Sequence, residues 1–237
     1  MKTALVTGAT SGVGRAIARN LARDGIRVLA VGRDTDSLAE LAATAGIEPL
    51  LLDLRDLKKT GATLPYQKVD ILINNAGIMP PLGSFHEAEQ HDIDAAISIN
   101  FAAQVALTRL LVPGMVERGN GHVIFTGSVA GHAALANMAV YCATKAALSG
   151  FAQALRLDLA DHGVRVTEIV AGRIESNLYR GLLPEEQRKA MYAGGVAVQP
   201  SDVASMVRAI LELPHTVDVS RFDILPARHV SPVGMIR

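Results

Sequence analysis

The chain has 237 residues, a length that suits one α/β domain. Lys and Arg together number 23 and so do Asp and Glu, so no net field draws the protein to nucleic acid or to a membrane, and neither is expected as a partner. Apolar residues make up 49% but aromatics only 4%, so the core is expected to be Ala, Leu, Val and Ile. The lone cysteine, Cys142, excludes an internal disulfide and fits a reducing compartment. The chain enters an apolar strand pattern at once, so no signal peptide is expected, and no apolar run is expected to reach the length of a membrane span. A soluble cytoplasmic protein is the expectation. Seven His and one Cys show no ligand spacing, so no metal site is expected.

Residues 3–7 (Thr-Ala-Leu-Val-Thr) predict a buried strand. Gly8-Ala-Thr-Ser-Gly12-Val-Gly14 follows, then a helical pattern over residues 15–24 with Ile17 and Leu21. In such a strand–turn–helix unit Gly8 permits the exit turn, Gly12 lets backbone approach a pyrophosphate and Gly14 lets helix pack on strand. The N–H groups around Thr10, Ser11, Gly12 and Val13, at the helix start, would face phosphate. Strand two, residues 27–31, ends in Gly32-Arg33-Asp34. An acid at that tip would bind the ribose of NAD and repel a 2′-phosphate. Here Arg33 offers a fork of donors suited to phosphate, so NADP(H) is the expected cofactor. Asp34 leaves NAD(H) as the alternative, or simply caps the next helix.

That helix is expected over residues 34–45 and strand three over 48–54, with Asp53 and Leu54 at its tip. Asp53 there either accepts from an adenine amino group or initiates a turn. Residues 57–67 read as irregular around Pro65, and strand four, 69–74, ends in Asn74-Asn75-Ala76-Gly77. Those amides can line a cofactor groove, tie strands together, or both. One long helical region is expected over 87–117, apolar at Ile93, Ile97, Phe101, Val105 and Leu111 and interrupted by Pro113. Asn100, on its buried side, needs a polar partner and is a candidate for holding water or backbone near a site.

Strand five, 122–127, is followed by Ser128, at the carboxyl end of a central strand, where ligands of open α/β sheets bind. A serine there also suits the capping of a turn. The helix expected over 139–162 carries Tyr141 and Lys145 one turn apart on one face. Cys142 beside them reads as a small packing residue. Strand six, 164–170, runs into Ala171-Gly172-Arg173-Ile174. Residues 175–199 suggest one or two short helices in a mobile flap over the site. A helix over 200–213, a strand over 221–225 and a tail over 227–237 complete the chain. Strands alternating with helices predict a doubly wound parallel sheet, a Rossmann-type fold, in a single domain.

Along essentially its whole length the chain resembles the compact single-domain branch of the short-chain dehydrogenases/reductases. The resemblance rests on Thr7-Gly8-x-x-x-Gly12-x-Gly14, Asn74-Asn75-Ala76-Gly77, Asn100, Ser128 and Tyr141-x-x-x-Lys145. It implies a Ser128–Tyr141–Lys145 centre assisted by Asn100, which interconverts a carbonyl and an alcohol with a nicotinamide cofactor. A phenol titrates near ~10, and a nearby ammonium lowers it by roughly 1–3 units, which makes Tyr141 the expected proton donor and acceptor. Lys145 would lower that pKa and bind the nicotinamide ribose, and Ser128 would hold the substrate oxygen. Asn100, by resemblance, would hold a water linking Lys145 to solvent. Cofactor contacts would come from the glycine loop, Arg33, Asp53, Leu54, Asn75, Ala76, Gly77, Tyr141, Lys145, Ala171, Gly172 and Ile174.

The chain departs from the family at Ala171-Gly172, where Pro-Gly is usual. Ser11 stands where NADP-preferring members often carry a basic residue, so phosphate recognition rests on Arg33. The run from Pro113 to His122 and the ending Asp223-Ile-Leu-Pro are similar to serine or allo-threonine 3-dehydrogenases and clavulanic-aldehyde reductases. Pocket walls from residues 79–82, 132–138 and 173–192 suggest a mid-sized, partly polar carbonyl substrate. The two long helices suggest a homodimer or homotetramer. A catalytically silent NADP(H)-binding regulator is the alternative.

Overall fold

The computed structural model describes residues 1–56, 68–195 and 197–228. Its centre is β1 (Thr3–Thr7), whose five residues are all buried. A parallel strand covered on both faces must be apolar on both. Ala4 and Val6 accordingly join the core on one face of the sheet, and Leu5 joins the core on the other. Around it lie β2 (Arg27–Gly32), β3 (Ile47–Leu51), β4 (Ile71–Asn74), β5 (Gly121–Thr126), β6 (Val164–Ala171) and β7 (Arg221–Ile224). All pairings are parallel and the order is β3-β2-β1-β4-β5-β6-β7. The strand order reverses between β1 and β4, so a crevice opens at their carboxyl ends.

The helices α1 (Gly12–Arg23), α2 (Thr35–Ala42), α3 (Gln90–Ile97), α4 (Ala103–Glu117), α5 (Ala139–Leu159), α6 (Glu185–Tyr192) and α7 (Pro200–Glu212) complete the fold. Ile17 and Leu21 of α1 and Val203 and Val207 of α7 fill one face of the sheet. Leu107, Leu111 and Met115 of α4 and Leu148 and Ala152 of α5 fill the other.

Several expectations are corrected. The region read as one helix over residues 87–117 is α3, a π-helical turn at Ser98–Ala102 and α4. The wider turn shifts the inward stripe, so Ile97 is exposed and Leu107 and Met115 join Leu111, which faces inward as expected, in the core contact. Pro113 lies inside α4 without ending it. Arg109, whose carbonyl the proline leaves unbonded, is exposed to water, while buried Leu111 and Met115 hold the helix down on either side. Contrary to expectation, Gln90–Glu117 is long and apolar enough to cross a membrane; it packs on the sheet as a core helix. Strand three ends at Leu51, leaving Asp53 beyond it and Leu54 in a short 3-10 turn. The expected irregular segment 57–67 and residues 229–237 of the expected tail lie outside the described residues.

Candidate active site

The crevice is a cavity of about 1220 Å³ that runs from the β1 turn to the start of α5. Gly8, Thr10, Ser11, Gly12 and Val13 line one end. Gly8 takes a left-handed φ of 64°, which turns the chain sharply out of β1. Ser11, the N-cap of α1, makes no side-chain cap, so the first N–H groups of the helix are left for a ligand. Arg15 braces the loop from behind by donating to the Thr10 carbonyl at 3.0 Å. Gly14 does not line the cavity: a Cβ there would collide with the Gly8 carbonyl oxygen, so this glycine serves the packing of α1 beneath the turn.

Thr7, the first residue of the glycine motif, carries a role that its place in the motif did not give. Its Oγ1 accepts from the amides of Asn75 (2.9 Å) and Ala76 (3.0 Å), and Asn75 Nδ2 donates back to the Thr7 carbonyl at 3.0 Å. The ends of β1 and β4 are thereby stitched together, with Asn75, Ala76 and Gly77 on the cavity wall. Asn74 is fully buried instead and donates to Thr108 at 2.9 Å, so it ties the strand to α4.

At the β2 tip a Cβ on Gly32 would collide with the Thr10 Cγ2. Position 32 therefore has no room for an inward acid. Asp34 is committed as the α2 N-cap, accepting from the Ser37 amide at 2.7 Å, and that bond holds its carboxyl below the usual range. Arg33 faces the cavity, its Nη1 3.7 Å from Asp53 Oδ2, with a side chain 57% exposed. Asp53 also lines the cavity. Both of its oxygens bind Arg55, one at 2.6 Å, which holds its pKa down at about 2. Its Oδ1 also accepts the Arg55 amide at 2.9 Å, so the turn-forming role is present. The glycine cradle, the free helix start and an arginine whose neighbouring acid, Asp53, is already held by Arg55 fit a dinucleotide bearing a 2′-phosphate.

At the other end of the cavity Ser128, Tyr141 and Lys145 meet. Met138 caps α5, so Tyr141 and Lys145 fall in its first turns on the buried face. Lys145 Nζ lies 5.8 Å from the Tyr141 ring centroid and donates to the Thr126 carbonyl at 2.7 Å. Ser128 both hydrogen-bonds Tyr141 and caps the turn Val129–Gly131 by accepting from the Ala130 amide. Burial pushes the Tyr141 phenol well above its ordinary value, nearby Tyr179 adds to the rise and the Ser128 bond opposes it. Burial also brings Lys145 down to about 8, against the opposing pull of Glu168. Here burial keeps Tyr141 a neutral phenol, and the expected lowering by Lys145 is not among the influences on it.

Asn100 does not line the cavity. From the π-helical turn its Oδ1 accepts from the Ile78 amide at 2.8 Å, and its Nδ2 donates to the Ile78 carbonyl at 2.9 Å and to Thr144 at 3.3 Å. It clamps the backbone of the cavity wall. Ala171, Gly172 and Ile174, together with Leu54, take their expected places on the lining.

The family model for short chain dehydrogenases matches residues 2–187. The chain belongs to the short-chain dehydrogenase/reductase family, and the protein is an oxidoreductase of that class. An uncharacterized short-chain type dehydrogenase/reductase of Sinorhizobium fredii is 46% identical over 230 residues, covering 97% of this chain and 93% of that protein. The NADP-dependent 3-hydroxy acid dehydrogenase of Escherichia coli is 35% identical over 232 residues, 94% of each chain. Among solved structures, the closed form of a serine dehydrogenase complexed with NADP+ superposes with a TM-score of 0.90 at 34% identity, covering 97% of each chain. An actinorhodin polyketide ketoreductase with NADPH gives 0.84 at 29% identity, over 95% of this chain and 96% of that one.

Proposed function

We propose that the protein interconverts a carbonyl and a secondary alcohol with NADP(H), with Tyr141 as the general acid and base. The observation that carries this is the meeting of Ser128, Tyr141 and Lys145 in the same cavity as the glycine turn and Arg33. The loop from Gly8 to Val13 would hold the pyrophosphate and Arg33 the 2′-phosphate. When bound, the nicotinamide supplies or takes up the hydride. Ser128 holds the substrate oxygen by its hydroxyl. Tyr141, protonated at neutral pH, donates its proton to that oxygen during reduction and takes it back during oxidation. Lys145, titrating near neutrality, is poised to relay the replacement proton. Asn100 keeps the Ile78 segment of the wall in place.

Residues 175–199 serve as a flap in this reading, supported by the packing of Leu178, Tyr179 and Leu182 around Tyr141. Homo-oligomer formation through α4 and α5 is supported by their exposed Leu110 and Leu157, and light scattering tests it. A cytoplasmic location accords with the free Cys142. The cofactor assignment is tested by parallel titration with NADPH and NADH, in the native enzyme and in Arg33→Ala. NADPH should be preferred, and the variant should weaken NADPH by about tenfold or more while leaving NADH nearly unchanged. A variant that keeps its preference overturns the role of Arg33.

A further inference from the structure

The walls of the cavity carry an imbalance of charge. Arg33, Lys145, Arg173, Arg180 and Arg228 line it, whereas Asp53 is the one carboxylate among the described lining residues, and it is held by Arg55. Arg33 lies at the far end beside Asp53, Lys145 is engaged by the Thr126 carbonyl, and Arg180 and Arg228 are exposed. Arg173 differs from these. It leaves the carboxyl end of β6 half-buried, and its side chain makes one polar contact, Nη1 to the Met191 carbonyl at 3.4 Å. Among the described residues it joins no ion pair.

The neighbours of Arg173 place it at the reacting end. Its Nη1 reaches the carbonyl of Met191, next to Tyr192 in the chain, it shares the cavity wall with Tyr179, and its charge favours ionisation of both tyrosines against the burial that raises each. Tyr179 in turn stands close enough to Tyr141 to raise the catalytic phenol. The walls between are apolar: Met79, Leu82, Leu135, Met138, Leu178 and Leu182. A half-buried guanidinium loses part of its hydration, and among the described residues only the long contact to the Met191 carbonyl offsets that loss. Its planar fork matches a carboxylate in a bidentate pair, and an apolar-walled cleft strengthens that attraction.

We propose that Arg173 anchors a carboxylate of the substrate, so that the enzyme selects oxo acids and hydroxy acids with an apolar body between the acid and the reacting carbon. This rests on the oxidoreductase reading above and names the substrate class of that site. The carbonyl oxygen lies at Ser128 and Tyr141, the chain along the Met79–Leu135 wall, and the carboxylate on Arg173 beside Tyr179.

The test compares a medium-chain 3-oxo acid with its methyl ester, which keeps the shape and removes the charge, using NADPH at saturation. The native enzyme should show the lower KM for the acid. Arg173→Met should raise the KM of the acid about tenfold to a hundredfold and leave kcat and KM for the ester within about threefold. Arg173→Lys should recover part of the loss. The dissociation constant of NADP+, measured by calorimetry, should not change in either variant, which also shows that both fold. Equal losses on acid and ester, a native preference for the ester, or weakened NADP+ binding would each overturn the anchor. A native enzyme that binds NADPH but turns over neither probe nor any other carbonyl overturns the oxidoreductase reading itself, and the anchor with it. Turnover of the ester alone overturns only the anchor.

Discussion

Ser149, one turn beyond Lys145 on α5, donates from Oγ to Glu168 Oε2 at 2.9 Å. The same carboxylate binds His132 Nε2 at 3.0 Å through its other oxygen, and Gln153 donates to Ser149 at 3.0 Å. A buried carboxylate is thus fixed behind the turn that carries Lys145, with Gly127 packed against it. It is the group that opposes the burial-driven fall of the Lys145 pKa.

Glu168→Gln keeps hydrogen-bonding capacity and removes the charge. Lys145 loses its ammonium as pH rises through about 8, and without Glu168 that loss should come at lower pH. The groups facing the ammonium are Tyr141 on its own helix, Glu168 on β6 and, through Glu168, His132. In a pH profile of kcat/KM the alkaline limb should therefore move to lower pH. A limb that stays in place while the overall rate drops would mean that Glu168 is merely structural.

Tyr141→Phe removes the phenol that meets Ser128 in the cavity. The turnover number should fall by about 10²–10⁴-fold, while the NADP+ dissociation constant changes little. Residual activity above a tenth of the native value would place the proton source elsewhere.

Gly32→Asp installs the acid that would suit NAD, yet its Cβ meets Thr10 Cγ2. The single variant should lose about 1–3 kcal/mol of stability to overpacking and show poor activity with either cofactor. Gly32→Asp combined with Thr10→Ala should recover stability and shift preference towards NADH. Chemical denaturation and paired cofactor titrations follow both effects; a single variant as stable as the native enzyme would refute the clash.

His122 lies buried in β5, with Nε2 2.8 Å from Thr167 Oγ1 and Nδ1 without a hydrogen-bond partner among the described residues. Burial lowers its pKa from 6.5 to about 3, with Arg165 and Lys2 contributing. Between those values the unfolded chain takes up a proton that the folded chain refuses. Stability should therefore fall as pH drops from about 6.5 towards 3, by on the order of a few kcal/mol, and be insensitive to this group above 6.5. Urea unfolding at pH 7 and pH 4.5 should show a smaller difference for His122→Gln than for the native chain.

Regular spacing made much of this molecule legible. Tyr141 and Lys145 lie one helical turn apart, Ser128 ends a central strand, and the glycine turn sits between β1 and α1. Each is a local relation, and local relations survive folding. That Asn100 holds backbone near the site was legible; which backbone it holds was not, because the π-helical turn that swings it onto Ile78 leaves no mark in residue spacing. Spacing assigned Gly14 to the packing of helix on strand, as found, but it could not tell that Asn74 turns to Thr108 while its neighbour Asn75 lines the cavity. The His132–Glu168–Ser149 cluster joins three distant segments and was missed. Its one signal was available: Glu168 is a charge inside Val-Arg-Val-Thr-Glu-Ile-Val, a strand that a doubly covered sheet buries on both faces. A charge there needs an internal companion.

Ile174 and Val198 pair in a short parallel bridge just beyond β6. The segment between them begins and ends at this bridge, and on the way it lays Leu178, Tyr179 and Leu182 against Tyr141. None of the seven strands runs through this segment, so a change in its length or composition would spare the strand pairings while altering the wall packed against Tyr141. Evolution is then free to exchange this piece as a cassette, Arg173 at its root included, and so to retarget the catalyst to new compounds while the chemistry is inherited intact.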